Sequence, residues 1–538
     1  MRAIMRLACT LLLLLPHGFH SLSLSATLPH HARGGELHRG LLDAEEEALR
    51  LFRGAAGLAA AWRPNSTANW KATLLSHTSG DATTYPQRFY YDTTFCGAAC
   101  ALDSTPAVVE FTGEWTNAGC PGGAVAELAA TLKAIIVSVE HRFYGCSRPG
   151  GGCSPGANSS SLQQHLLVAE AVEDSADFIP FFEAFAAAGF TSEGGAPPLP
   201  LAPPLGYAPR RRWVAVGGSY AGALVSWLAA AHGDLLSATW SSSGVVNAVY
   251  NFSGFDAVVG EALGPDCARA VQAVVAAFEG AWAANNSALL ALFLAPQGWL
   301  TKGDFAWMLA DSAGMAAQYG VKGKLCAALN STARATAASP PPPGGGGFPT
   351  GWPALQAFAN FTRARYGDGF ASSCYYSTAC LSAGSANATL WGDTTTWVWQ
   401  CCRELAYWNV PNGDAATATR PQALTAPYFM SQCAAAWPDV FPASPFPDTA
   451  AFNARWGGAQ GAAGFAGNGS TRILAMQGSD GARPFFNLIH SAPFPGVLLA
   501  PLRAAHASPR NTHTHTRAHG IRPLESGGRA KHHIQHVR

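Results

Sequence analysis

An α/β fold, with a mostly parallel sheet and an inserted helical block, is predicted by three observations. Short β-branched runs alternate with helical stretches through the first half of the chain, as in Ala107-Val-Val-Glu-Phe-Thr112 and Ala134-Ile-Ile-Val-Ser-Val139. A third apolar run, Trp213 to Val216, breaks at Gly217-Gly-Ser-Tyr220 straight into an apolar helical pattern, the signature of a tight strand-to-helix turn. Between about 255 and 455 such runs vanish, and the chain becomes helical, interrupted, and rich in Cys and Trp. With 538 residues there is room for two folded units, and 48% apolar against 12% charged residues permits a large core.

In chain order, Met1 to Ala26 reads as a secretory signal, with Arg2 and Arg6 before a short Leu-rich run. That run is too short to span a bilayer, and no later stretch is long and apolar enough. Residues 27 to about 80 read as a leader with one helical patch, Glu45 to Trp62. Tyr85 to Tyr91 alternates like an outer strand. A helix is expected near 124–131, and another over Leu162 to Phe182. The Pro-rich loop Pro197 to Pro209 leads into the strand before Ser219, and Ser237 to Gly244 supplies one more strand. Residues 27–254 are the first part of the core and 255–455 a helical cap. Residues 456–506, with strands near 472–476 and 497–500, return to the core, and 507–538 form a His/Arg-rich tail.

The balance of 34 basic and 33 acidic residues gives no basic face for nucleic acid. Beyond Cys9 in the signal, twelve cysteines remain, an even number suited to disulfides whose pairing the sequence does not reveal. Cys96 and Cys100 lack a second pair at zinc-finger spacing, so no metal is expected, and no cofactor either. Asn-x-Ser/Thr sequons at Asn65, Asn158, Asn251, Asn285, Asn330, Asn360, Asn387 and Asn468 fit a glycoprotein of the secretory route.

Ser219, held on a sharp bend among Gly217, Gly218, Ala221 and Gly222, matches the nucleophile elbow of α/β-hydrolases, with Ala221 where the strict pattern has glycine. A nucleophilic serine needs a base and an acid to orient it, in chain order Ser, Asp, His. Asp480 follows one late strand and His506 the next, so the expected triad is Ser219, Asp480 and His506. Asp480-Gly481 also suits a plain turn, and His506 has several histidine neighbours in sequence. The backbone N–H groups of Tyr220 and of Glu114, in the loop after the 107–112 strand, are the candidate oxyanion donors.

Val139-Glu-His-Arg-Phe-Tyr-Gly145, Gly217 to Trp227, and Trp397-x-Trp-Gln-Cys-Cys-Arg-Glu-Leu-Ala-Tyr407 occur in this order along the chain. Together they resemble the S28 serine peptidases, the family of lysosomal Pro-X carboxypeptidase, dipeptidyl peptidase II and thymus-specific serine protease. Tyr85 to Tyr91 and Asn453 to Gly458 are similar to further stretches of it. The resemblance implies an α/β-hydrolase core, a helical cap shaping a proline pocket, peptide substrates, and a secreted or lysosomal/vacuolar exopeptidase. A homodimer is one assembly open to it.

Two departures stand out. Gln477-Gly-Ser-Asp-Gly-Ala-Arg483 places its Asp one position early and lacks the family's Pro-Trp, and Ala505-His506-Ala507-Ser508 lacks the residues that follow the family's His. They keep open an alternative: a catalytically impaired or non-catalytic hydrolase-fold glycoprotein, with a diverged or wrongly assembled coding sequence after about Asp480. Trp397, Trp399, Tyr407 and Trp408 are candidates for the pocket or for cap core. Glu404 is a candidate partner for a substrate amine, and Arg403 for a terminal carboxylate.

Overall fold

The computed structural model describes residues 62–150, 153, 165–190, 207–338, 351–386, 392–441, 447–458, 473–479 and 497–503. The expected signal, most of the leader helix, three of the eight sequons (Asn158, Asn387, Asn468), Asp480, His506 and the tail lie outside the described residues.

The strands are β1 (Asn69–Leu74), β2 (Thr84–Asp92), β3 (Ala107–Phe111), β4 (Ile135–Val139), β5 (Trp213–Gly218), β6 (Ala238–Ser242), β7 (Ile473–Ser479) and β8 (Val497–Arg503). They form one sheet in the order β1-β2-β4-β3-β5-β6-β7-β8. β2 runs antiparallel to both neighbours, and every pair from β4 through β8 is parallel. This order and polarity are those of an α/β-hydrolase. The parallel strands deliver their C-terminal loops to one edge, where ligands of open α/β sheets bind.

Alternate residues of the central strands feed two separate cores. Val109, Ile135, Val137 and Ala215 pack beneath α2 (Val168–Ala187) and α3 (Tyr220–Ala231). Val108, Ile136, Val214 and Val216 face α1 (Gly123–Leu132) on the other side. Both faces are covered, so these strands are apolar throughout instead of alternating. The α2 face is aromatic: Phe178, Phe181, Phe182 and Phe185 surround Phe89 with centroids 5.3–6.2 Å away.

The leader corrects the sequence reading: Asn69–Leu74 is an edge strand, so Tyr85 to Tyr91 is not outermost. Its inward residues are polar, which hid the strand period. Lys71 and Thr73 are buried, Lys71 Nζ donates to Thr73 Oγ1 (3.1 Å), and Thr73 donates to Gln87 Oε1 (2.9 Å).

Between β6 and β7 the described elements are helical: α4 (Ser253–Leu263), α5 (Pro265–Leu292), α6 (Lys302–Gln318), α7 (Lys322–Ala338), α8 (Trp352–Tyr366), α9 (Thr378–Ala386), α10 (Asp393–Gln400), α11 (Ala426–Ala436) and α12 (Thr449–Trp456). Most of them share a core of their own. A capping box starts α6: Thr301 Oγ1 accepts from the Asp304 N–H (3.2 Å), and Asp304 accepts from the Thr301 N–H (3.0 Å). Disulfides Cys267–Cys326 and Cys402–Cys433 close long loops in this region, where cross-linking restricts the unfolded chain most. Cys96–Cys100, Cys146–Cys153 and Cys374–Cys380 are local. Cys120 and Cys401 remain thiols, so the even count does not mean complete pairing. Among the described residues no helix is long and apolar enough to cross a membrane.

Candidate active site

Ser219 sits between β5 and α3 with φ 56° and ψ −125°, a conformation that costs an L-residue free energy. The bend is held from both sides. The Ser219 N–H donates to Ser242 O in β6 (2.9 Å), and Ser219 O accepts from the Ala223 N–H (3.1 Å). Gly217 is obligatory, because a Cβ there would meet Ala221 O at 2.1 Å. Gly218 is not: a Cβ would meet only Ser242 O at 3.9 Å. The side chain of Ser219 is exposed at the turn.

Tyr220 opens α3, where the first N–H groups have no acceptor inside the helix. The loop after β3 reaches the same turn. A Cβ on Gly113 would stand 3.4 Å from Ala221 N and 3.6 Å from Tyr220 Cδ1. Glu114 follows directly. Its Oε2 is buried without a partner among the described residues, and burial pushes its carboxyl up to about 7. The structure thus brings Ser219, Tyr220 and Glu114 together, while Asp480 and His506 lie outside the described residues. β7 ends at Ser479 and β8 at Arg503, each parallel to its neighbour.

The 140–145 motif turns out to brace this turn. Glu140, fully buried, accepts from the N–H groups of Asn117, Cys146 and Ser147 at 2.8–2.9 Å and pairs with Arg88. Gly145 must lack a side chain, since a Cβ would stand 2.0 Å from Glu140 Oε1. Arg142 forms a two-pronged pair with Asp174, both contacts at 2.6 Å, and donates to the carbonyls of Leu74, Leu75 and His165. His77 and the Tyr85 hydroxyl complete the shell of Asp174 at 2.7 and 2.8 Å. Burial alone would raise the Asp174 carboxyl, but Arg142 and His77 hold it below the usual range.

A directed hydrogen-bond chain links the motif, the elbow and the helical region. His141 Nδ1 lies 2.8 Å from Arg142 O, which can only accept, so Nδ1 carries the proton. Burial lowers the imidazole to about 4, so it is neutral at physiological pH and Nε2 accepts. The Tyr220 hydroxyl donates to that Nε2 (3.0 Å) and accepts from Gln400 Nε2 (3.0 Å), while Gln400 Oε1 accepts from the Tyr144 hydroxyl. Every group in this buried chain is satisfied, which fixes Tyr220 and with it the start of α3.

Ser219 is part of the wall of a cavity of about 460 Å³. Other parts of the wall come from α6, α10 and an i→i+5 turn at Cys401–Leu405, closed by the Ala406 N–H on Cys401 O (2.8 Å). Such turns recur at functional sites. Ala406 and Tyr407 both hold positive φ, 54° and 55°, and both face the cavity. Trp397, Tyr407 and Trp408 line it as well. Trp399 does not. It is core, 5.2 Å from Trp437 and 5.1 Å from Phe441 between centroids.

Glu404 and Arg403 are also absent from the lining. The Glu404 carboxylate instead accepts the Val168 N–H (2.8 Å) at the start of α2, and Arg403 is exposed. Sequence reading missed Gln400 and Asp311. The signal for Asp311 is a charge inside the apolar run Phe305 to Ala310 and beyond, on the face of α6 shared with Gly314, Met315 and Gln318.

The titration of these groups predicts the response to pH. Burial raises Glu110, Glu114, Asp177 and Glu404 each to about 7. A raised carboxyl contributes stability that is fully present below its unfolded value and is lost as pH rises through about 7. His141 has the opposite sign: its contribution is present above about 6.5 and lost as pH falls toward 4. His232, raised by its hydrogen bond with Glu173, adds to the first set and His165, lowered by burial, to the second, so the raised groups still outnumber the lowered ones between these limits. The melting temperature is therefore expected to be a few degrees higher at pH 5 than at pH 8, read by calorimetry; an equal or lower value at pH 5 contradicts this.

A family model described as serine carboxypeptidase S28 matches residues 76–192 and 204–324. The chain is 30% identical over 263 residues to "Probable serine protease EDA2" of Arabidopsis thaliana, covering 48% of this chain and 49% of that protein. It is 31% identical over 141 residues to thymus-specific serine protease of Mus musculus, covering 26% and 23%. The aligned part thus spans about half, or less, of the length of these relatives. An acetylester hydrolase from Corynebacterium glutamicum aligns in structure over 81% of this chain and 88% of its own, at 12% identity and a TM-score of 0.31. That score is too low to build on, and the fold assignment rests on strand order and the elbow. Taken with the matched segments, which cover somewhat under half of the chain and include Ser219, they make the chain similar to the serine carboxypeptidase S28 family of serine peptidases.

Proposed function

We propose that the protein is a serine exopeptidase that cleaves peptides next to proline through a triad of Ser219, His506 and Asp480. The observation that carries this reading is the strained Ser219, exposed at the end of β5 and opening into a largely aromatic and apolar cavity. Ser219 Oγ would attack the acyl carbon while His506 takes its proton and Asp480 holds the imidazole in the right tautomer. The N–H groups of Tyr220 and Glu114 would hold the negative oxygen of the tetrahedral intermediate. His506 would then protonate the leaving amine, and water would release the acyl group by the reverse sequence.

The proposed cap, residues 255–455, would shape the proline subsite over a core formed by 27–254 and 456–506. Proline suits a rigid aromatic wall such as Trp397, Tyr407 and Trp408 because its ring is apolar and preorganised. A secretory route, to the exterior or to a lysosome or vacuole, belongs to the same proposal, with five disulfides in its support.

The test uses fluorogenic peptides that differ only in proline or alanine at the cleavage position. The proline peptide is expected to show a kcat/KM about tenfold higher or more. Equal rates sink the proline specificity. A well-folded protein that neither hydrolyses peptides nor reacts with a fluorophosphonate supports the non-catalytic alternative.

A further inference from the structure

The cavity beside Ser219 is not uniformly apolar. Among its described lining residues Asp311 is the one that carries a formal charge, and its surroundings are aromatic. The carboxylate accepts from Arg420 Nη2 at 2.8 Å; burial raises the carboxyl, and Arg420, with the Trp307 indole and the Tyr376 hydroxyl beside it, acts in the opposite direction. The Arg420 contact aims the carboxylate and keeps it fixed.

The partner charge is set behind the wall. Arg420 is 1% exposed, against 16% for the Asp311 side chain, and Arg420 does not line the cavity. Its guanidinium lies over the Phe255 ring at 5.3 Å, and a Cβ on Gly314 would be 3.7 Å from its Nη1. A molecule entering the cavity therefore meets the negative end of the pair first. A carboxylate among aromatic faces is a setting that favours an ammonium or guanidinium, which gains a charge-assisted hydrogen bond and the negative faces of the rings together.

We propose that Asp311 is a specificity-determining residue that seats a positively charged group of the substrate inside the cavity that Ser219 opens into. The inference rests on the peptidase reading and deepens it. The charge can come from two sources, the free α-amine of a short acyl segment or a basic side chain near the cleaved bond. An α-amine would make the enzyme release N-terminal dipeptides, and a side chain would leave the position of cleavage open. A C-terminal carboxylate, by contrast, would be repelled from this part of the wall.

The test is equilibrium binding, so that it does not depend on turnover. Alanyl-prolinamide, N-acetyl-alanyl-prolinamide and N-acetyl-lysyl-prolinamide are titrated into the full-length protein by calorimetry, alongside the same three ligands with alanine in place of proline. At least one cationic ligand is expected to bind about tenfold or more tighter than the neutral one. A preference for alanyl-prolinamide identifies the α-amine, and one for the acetyl-lysyl ligand identifies the side chain.

In Asp311→Asn the cationic-to-neutral ratio is expected to fall to one or below, because Arg420 is then left as the nearest charge. In Arg420→Gln the ratio is expected to hold or rise, which keeps the proposal testable if Asp311→Asn folds poorly. Equal affinity for charged and neutral ligands in the unaltered protein overturns the proposal. So does an unchanged ratio in folded Asp311→Asn. Loss of the proline-over-alanine preference with the charge ratio intact would count against the proline reading alone.

Discussion

Ser219→Ala is expected to abolish fluorophosphonate labelling and to lower kcat on the order of a million-fold, with the fold intact. In serine peptidases the nucleophile and base act as a unit, so losing either removes nearly all of their joint contribution. The residual rate would come from the oxyanion donors and from substrate binding. The same position stores backbone strain, so Ser219→Gly is expected to be equally inactive yet to melt at or above the temperature of the unaltered protein. Rates come from fluorogenic peptides and melting from calorimetry. A Ser219→Ala protein that still labels or still turns over would remove Ser219 from the mechanism.

The largest effect on stability is expected at Arg142, which is buried and does not line the cavity. Arg142→Met should cost about 3–5 kcal/mol, because it leaves Asp174 buried opposite an apolar side chain. The loss is larger than a surface charge would give, because three carbonyls of neighbouring loops lose their donor at the same time. Removing both charges in Arg142→Met with Asp174→Leu should cost less than the sum of the two single changes. Denaturant melts of the four proteins measure this directly, and strict additivity would show that the pair is not coupled.

How much of this was legible in the sequence depended on the range of the interaction. The Ser219 turn was legible because close backbone approach imposes small residues at fixed local spacing, as Gly217 shows against Ala221 O. The central strands were legible because burial on both faces leaves an unbroken β-branched run. β1 was not, because Lys71 and Thr73 point inward and reverse the usual pattern.

The misreading of Glu404 has a similar cause. Its partner is the start of a helix 236 residues earlier, and no local pattern announces such a cap. The link from Tyr220 to Gln400 spans 180 residues, and that from Thr116 to Asp393 spans 277. Asp311 belongs to no motif and stands out in the sequence only as a charge inside an apolar run. Its place in the cavity wall, with Gly314, Met315 and Gln318 of the same helix, depends on where the fold sets α6.

In the proposed mechanism Ser219 attacks electrophiles because a base and two N–H donors converge on it. The most direct test is a crystal structure of the protein after reaction with a fluorophosphonate. Phosphorus is expected to be bonded to Ser219 Oγ. A phosphonyl oxygen should lie about 2.7–3.1 Å from the Tyr220 and Glu114 N–H groups, with the His506 imidazole in hydrogen-bond reach and Asp480 on its far nitrogen. An adduct on another residue, or a Ser219 adduct with no imidazole within reach, would contradict it.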